Sequence, residues 1–413
     1  MLIDIAMKNF RSYKNEAIFS MESGFRLSKF KTTNTFDNIG KPKILKSAFI
    51  FGPNANGKTN ILKAFDLIKF LLSFPNDSND ELLMTDTFGD NTLPTTFNVS
   101  FIKNNHKFTY FIEYTQEEVV SEYLKKDDEV VLERSKQEFK VIPDLLIPVK
   151  DTFRRNQLLL FLAQSYNFEP AQVAYSWLTQ DVIDITGKRR IANRLLKEFK
   201  NSNILQERLL NFIQAADFAI TGFEIIESKS DGFRLDMDEE NQEVKLVKSN
   251  VKPLELFLKH STESGTFTLP LKQESEGTQI FISLALQLLA NRGQGKLLLI
   301  DEFEKSLHYE LTLALMDIFN NEEQMNQFIL TTHDLDLMDH NLRVDQIWFV
   351  EKNEYGESDL YSMFDFQVPK SKRSDFGYKR RYIAGKFGAN QIINKNRLLQ
   401  NIFDYKGNDY GKN

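Results

Sequence analysis

The sequence has no cysteine, which excludes disulfide cross-links and thiolate metal sites and suits a chain kept in the reducing cytoplasm. It has no long apolar run either. Leu158 to Ala163 is the kind of short run that belongs in a core, whereas a bilayer needs about 20 apolar residues. Met1-Leu2-Ile3-Asp4 lacks the features of a secretory leader, so a cytoplasmic location without membrane attachment is expected. A surplus of positive charge is also missing: the formal net charge is -6, so any nucleic-acid contact would need a local basic patch. Internal repeats, low-complexity segments and sustained heptads are absent, which argues against a solenoid and a long coiled-coil arm.

What the chain does have is Gly52-Pro53-Asn54-Ala55-Asn56-Gly57-Lys58-Thr59, a G-x-x-x-x-G-K-[ST] phosphate-binding loop. Ala48-Phe49-Ile50-Phe51 before it reads as a buried strand. Ile61, Ala64, Phe65 and Ile68 after it share one face of a helix. The loop therefore joins a strand end to a helix N-terminus, where free N–H groups and the helix dipole favour phosphate. Gly52 and Gly57 let the backbone curl around phosphate oxygens. Lys58 is expected to reach the β- and γ-phosphates, and Thr59 to hold Mg²⁺. The expected ATP-binding set runs from Gly52 through Asn60.

The partner motifs lie in the second half. Lys296 to Ile300 is an apolar strand followed by Asp301 and Glu302. Asp301 is placed to orient the Mg²⁺ shell, and Glu302 to act as general base on the attacking water. Phe328 to Thr332 is another buried strand, followed by His333, a candidate γ-phosphate contact. Glu274-Ser275-Glu276-Gly277-Thr278-Gln279 opens an apolar helix from Ile280 to Ala290. A Ser and a Gly at a helix start make a second anion-binding end.

Elsewhere, Leu2 to Met7 and Ala17 to Met21 suggest strands, and the alternation from Thr96 to Tyr123 suggests antiparallel sheet with a turn at Asn104-Asn105. From Asp151 to about Ala216 the pattern turns helical. Lys188, Arg189, Arg190, Arg194, Lys197 and Lys200 fall on this stretch; a solvated face is the preferred reading over a nucleic-acid patch. Asp236, Asp238, Glu239 and Glu240 mark an exposed acidic turn. The expected organisation is an N-terminal ATPase lobe at 1–150, a helical insertion at 151–216 and a C-terminal ATPase lobe at 217–413.

The order of loop, Ser275/Gly277 helix start, carboxylates and histidine resembles that of ABC-type ATPases, with Ser275 and Gly277 matching part of their signature motif. The resemblance implies an α/β P-loop NTPase of ABC type, with an antiparallel β lobe and a helical insertion. It also implies a head-to-tail homodimer or larger homo-oligomer in which Ser275 and Gly277 serve the partner's ATP. Asn9-Phe10-Arg11-Ser12-Tyr13 looks like the opening of RecF-, SMC- and OLD-type heads. The C-terminal half is similar to abortive-infection ATPases of phage-defence operons. That similarity rests on Asp301-Glu302 with Ser306-Leu307-His308, Thr332-His333-Asp334, Asp345 to Phe349, and Tyr382 to Ala389. PARIS- and AbiL-type systems are examples of such ATPases working with a separate effector. The likeness implies a sensor or scaffold that holds a separately encoded effector, such as a nuclease or toxin, against a phage-protein trigger. A RecF-like repair ATPase that clamps DNA directly is the alternative.

Overall fold

Period-two alternation fixes the first layer. Thr95–Lys103 and His106–Tyr114 place Phe97, Val99, Phe101, Phe108, Tyr110, Ile112 and Tyr114 on one buried face. The computed structural model describes residues 1–24, 27–36, 43–185, 191–216, 219–228, 232–237, 244–249, 252–366, 377–388 and 395–403. In it these two strands form a hairpin, with Lys103 opposite His106. Asn104 and Asn105 turn it with φ of 53° and 63°, the left-handed pair a two-residue turn needs. The hairpin lies in a seven-stranded antiparallel sheet ordered Glu138–Val141, Glu129–Ser135, Val119–Lys126, His106–Tyr114, Thr95–Lys103, Leu2–Lys8, Ala17–Ser20.

The near-continuous apolar runs make the second layer, as strands buried on both faces should. Its order is Val182–Asp184, Leu297–Ile300, Gln327–Thr332, Ser47–Phe51, Ile347–Lys352, Ser358–Ser362. The first five strands are parallel and the last is antiparallel. Side chains alternate between two cores. Ala48, Ile50, Leu297, Leu299, Ile329 and Val350 join the antiparallel sheet and the Lys58–Ser73 helix. Phe49, Phe51, Leu298, Ile300, Phe328 and Leu330 join the Glu276–Ala290 and Tyr309–Phe319 helices. A three-stranded sheet of Ile220–Glu227, Leu254–Thr262 and Gly265–Pro270 joins the second core through Ile220, Ile225, Leu256 and Leu258, and Gly232–Met237 pairs with Val244–Ser249 in a separate antiparallel hairpin.

Among its described residues the stretch 151–216 is mainly helical and also carries the strand Val182–Asp184, which edges the parallel sheet beside Leu297–Ile300. Its helices divide between the cores: Leu159–Ser165 and Glu169–Ser176 in the first, Asn193–Lys200 and Asn203–Ala215 in the second. A buried carboxylate anchors the first of them. Glu122 accepts from the backbone N–H groups of Leu159 (2.7 Å) and Leu160 (2.9 Å), from Tyr110 Oη (3.0 Å) and from Arg134 Nε (3.0 Å). Lys188, Arg189 and Arg190 of the basic stretch, Asp238, Glu239 and Glu240 of the acidic turn, and Ala389 lie outside the described residues.

Candidate nucleotide site

The phosphate loop leaves the Ser47–Phe51 strand and enters the Lys58–Ser73 helix, as its sequence requires. Both glycines are forced by close approach. A Cβ on Gly52 (φ 155°) would sit 2.5 Å from the Val350 carbonyl oxygen. A Cβ on Gly57 (φ 110°) would sit 2.6 Å from the hydroxyls of both Ser12 and Ser358. The antiparallel layer braces the loop from behind. Tyr13 Oη donates to the Gly57 carbonyl (3.1 Å), Asn60 Nδ2 donates to Ser12 Oγ (2.7 Å), and Arg11 Nη1 donates to Asn60 Oδ1 (3.1 Å). Ser358 Oγ donates to the Asn56 carbonyl at 2.5 Å. Ser12, Tyr13 and Ser358 carry no role in the loop motif; the Asn9–Tyr13 segment gave a resemblance rather than a contact, and Ser358 had no sequence signal.

The side chains of the two strand ends meet in a chain of hydrogen bonds. Lys58 Nζ donates to the carbonyls of Gly52 (2.7 Å) and Pro53 (3.0 Å) and lies 3.2 Å from His333 Nδ1. Burial pushes its pKa down to about 8, against the pull of Glu302, Asp301 and Glu304, which raise it. Thr59 Oγ1 donates to Asp301, 2.9 and 3.1 Å from its two oxygens. Thr331 Oγ1 donates to the same carboxylate at 2.5 Å and accepts from the backbone N–H of Glu302 at 2.8 Å. Glu302, held at φ 49°, brings Oε1 to 3.3 Å from His333 Nε2. Of these groups Glu302 and His333 line an open cleft of about 710 Å³, between Gly52-Pro53-Asn54 and the wall made by Tyr382 and Ile383.

The structure thus brings together Lys58, Thr59, Asp301, Glu302 and His333, with the Gly52–Asn60 loop around them. It adds Thr331 and Glu304, which the motifs did not point to. Ser275 and Gly277 do not line the cleft. Ser275 caps its helix, accepting from the Thr278 N–H at 3.2 Å, and is exposed; Gly277 is buried, where a Cβ would meet the Ser306 carbonyl oxygen at 2.2 Å. The Thr59 hydroxyl and Asp301 carboxylate are adjacent hard oxygen donors beside a phosphate loop. That donor set fits Mg²⁺, which prefers one or two protein oxygens plus phosphate and water.

Fold and site together define an α/β P-loop NTPase with loop, carboxylate and histidine strands side by side in one parallel sheet. A family profile described as "AAA domain, putative AbiEii toxin, Type IV TA system" matches residues 47–339, and the chain belongs to that family. No curated protein matches. Solved structures of SMC heads are similar. One is an SmcHead bound to the C-winged helix domain of ScpA, with 13% identity, 87% of this chain and 97% of that chain covered, and a TM-score of 0.49. A second is the SMC head domain from Thermotoga maritima, with 14% identity, 89% and 99% covered, and a TM-score of 0.40. A third, derived from Pyrococcus furiosus, is an Smc head with an extended coiled coil bound to the C-terminal domain of ScpA, with 14% identity, 87% and 96% covered, and a TM-score of 0.43. Among the described residues no helix is long and apolar enough to cross a membrane.

Proposed function

We propose that the chain is a Mg²⁺-dependent ATPase serving as the sensor or scaffold subunit of an anti-phage system, and that it holds or licenses a separately encoded nuclease or toxin. The carrying observation is the hydrogen-bonded path Thr59–Asp301–Thr331–Glu302, continued by His333 to Lys58. In this reading Lys58 leaves the Gly52 and Pro53 carbonyls to take the β- and γ-phosphates. Glu302 accepts a proton from the attacking water, and His333 contacts the γ-phosphate. Thr59 and Asp301 would hold Mg²⁺, which when bound supplies charge neutralisation at the phosphates. The 1–150 and 217–413 segments would serve as the two ATPase lobes.

The reading also assigns Ser275 and Gly277 to the ATP of a second copy, which the exposure of Ser275 supports. Complementation tests this. Lys58→Ala and Ser275→Arg are each expected to be inactive alone. Mixed one to one, they form heterodimers with one site built only from intact motifs, restoring about a quarter of wild-type turnover. No recovery on mixing, with dimers present by native mass, removes the shared-site reading. Co-expression with the operon neighbour tests the scaffold: co-purification in fixed stoichiometry supports it. A monomer that ignores its neighbour and binds DNA with a steep salt slope replaces it with the DNA-clamp reading.

A further inference from the structure

Glu304 stands two residues beyond Glu302, and the motifs give it no part. The intervening Phe303 turns into the core, with ring centres 5.8 Å from Phe49 and 6.3 Å from Phe319, so Glu302 and Glu304 both line the cleft. Glu304 Oε1 accepts from the backbone N–H of His333 at 2.6 Å. His333 follows the Gln327–Thr332 strand, whose ladder register ends at Ile300–Leu330 on one side, with one further bond from the Phe303 N–H to the Thr331 carbonyl (3.3 Å), and at Thr332–Phe51 on the other, so neither neighbour supplies a backbone acceptor for the His333 N–H. The carboxylate therefore stands in for a rung that the sheet does not provide. The imidazole carried on this backbone sits 3.2 Å from Lys58 Nζ and 3.3 Å from Glu302 Oε1. The other oxygen of Glu304 is buried and has no hydrogen-bond partner among the described residues. A carboxylate oxygen left buried without a partner costs stability, so the placing of this half-buried side chain is not explained by stability.

We propose that Glu304 is a positioning residue for hydrolysis: its carboxylate hangs His333 from the loop that carries Glu302, so the imidazole stays between Lys58 and Glu302. This rests on the ATPase reading above. Glu304 acts through His333 and does not touch the phosphate.

Three substitutions separate the clasp from the charge. Glu304→Gln keeps an oxygen acceptor at the same reach without the charge. Glu304→Asp keeps the charge one methylene short of His333, and Glu304→Ala removes both. The clasp requires kcat to fall roughly 10- to 100-fold in Asp and Ala, with KM for ATP moving less than about threefold, and Gln to recover most of the loss. Ring ¹³C–¹H NMR of His333 reads the same point without turnover; it is one of 5 histidines and is assigned by its loss in His333→Ala. Asp and Ala should shift that cross-peak and Gln should leave it in place. Equal kcat loss in Gln and Asp, or an unmoved His333 resonance in both Asp and Ala, overturns the proposal. Should Ala fail to fold, Gln against Asp carries the comparison. A wild type that turns over no ATP in the same preparation counts against the ATPase reading instead, and the NMR comparison still decides the clasp.

Discussion

ATP affinity should fall steeply in the alkaline range, and Lys58 is the reason. Its ammonium is buried against the Gly52 and Pro53 carbonyls, and burial brings its pKa from the usual 10.5 down to about 8. Only the protonated amine attracts phosphate, and bound triphosphate would raise the pKa again. Above pH 8 nucleotide must therefore bring a proton with it, and affinity drops up to about tenfold per pH unit. Between about pH 7.5 and about pH 9.5 the dissociation constant should rise about 25-fold, from the fraction of Lys58 still charged. The effect on stability has the opposite sign. Below pH 8 Lys58 is charged in both folded and unfolded chains, and its burial cost is at its fullest. From pH 8 to 10.5 the folded chain has lost that proton while the unfolded one retains it, so stability rises across that window. Calorimetric titration with a non-hydrolysable ATP analogue measures the affinity arm. Lys58→Arg is the control, since guanidinium stays charged throughout. A flat wild-type profile, or an equal fall in Lys58→Arg, refutes the reasoning.

Further outcomes follow from other contacts. Glu302→Gln should lower turnover about 10²- to 10⁴-fold while retaining ATP binding, read by phosphate release against analogue titration. Glu122→Ala should cost about 3–5 kcal/mol in denaturant unfolding, because it strands the buried Arg134 and two helix N–H groups. Gly277→Ala places a Cβ 2.2 Å from the Ser306 carbonyl oxygen and should cost about 1–3 kcal/mol, read as a lower urea midpoint.

The parallel sheet was legible because its strands are apolar on both faces: Phe49 and Ile50 part to different cores, and both needed to be apolar. The loop, Asp301, Glu302 and His333 were legible because each follows such a run. Val182–Asp184 was not, since three residues inside a helical pattern carry too little period to read as a strand. Thr331 was hidden inside its own strand, and only the juxtaposition with Leu297–Ile300 turns its hydroxyl into a bridge between Asp301 and Glu302. Ser12 and Ser358 are 346 positions apart, and no local pattern links them to the back of Gly57. Ser275 and Gly277 were readable as a helix start, but a single chain does not bring them to the cleft.

The measurement that tests the central claim most directly is phosphate release from ATP by purified protein, with Mg²⁺ and with chelator, for wild type and Glu302→Gln. The account requires Mg²⁺-dependent turnover in wild type and its loss in Glu302→Gln at unchanged analogue affinity. Turnover that survives chelation, or survives in Glu302→Gln, would contradict it.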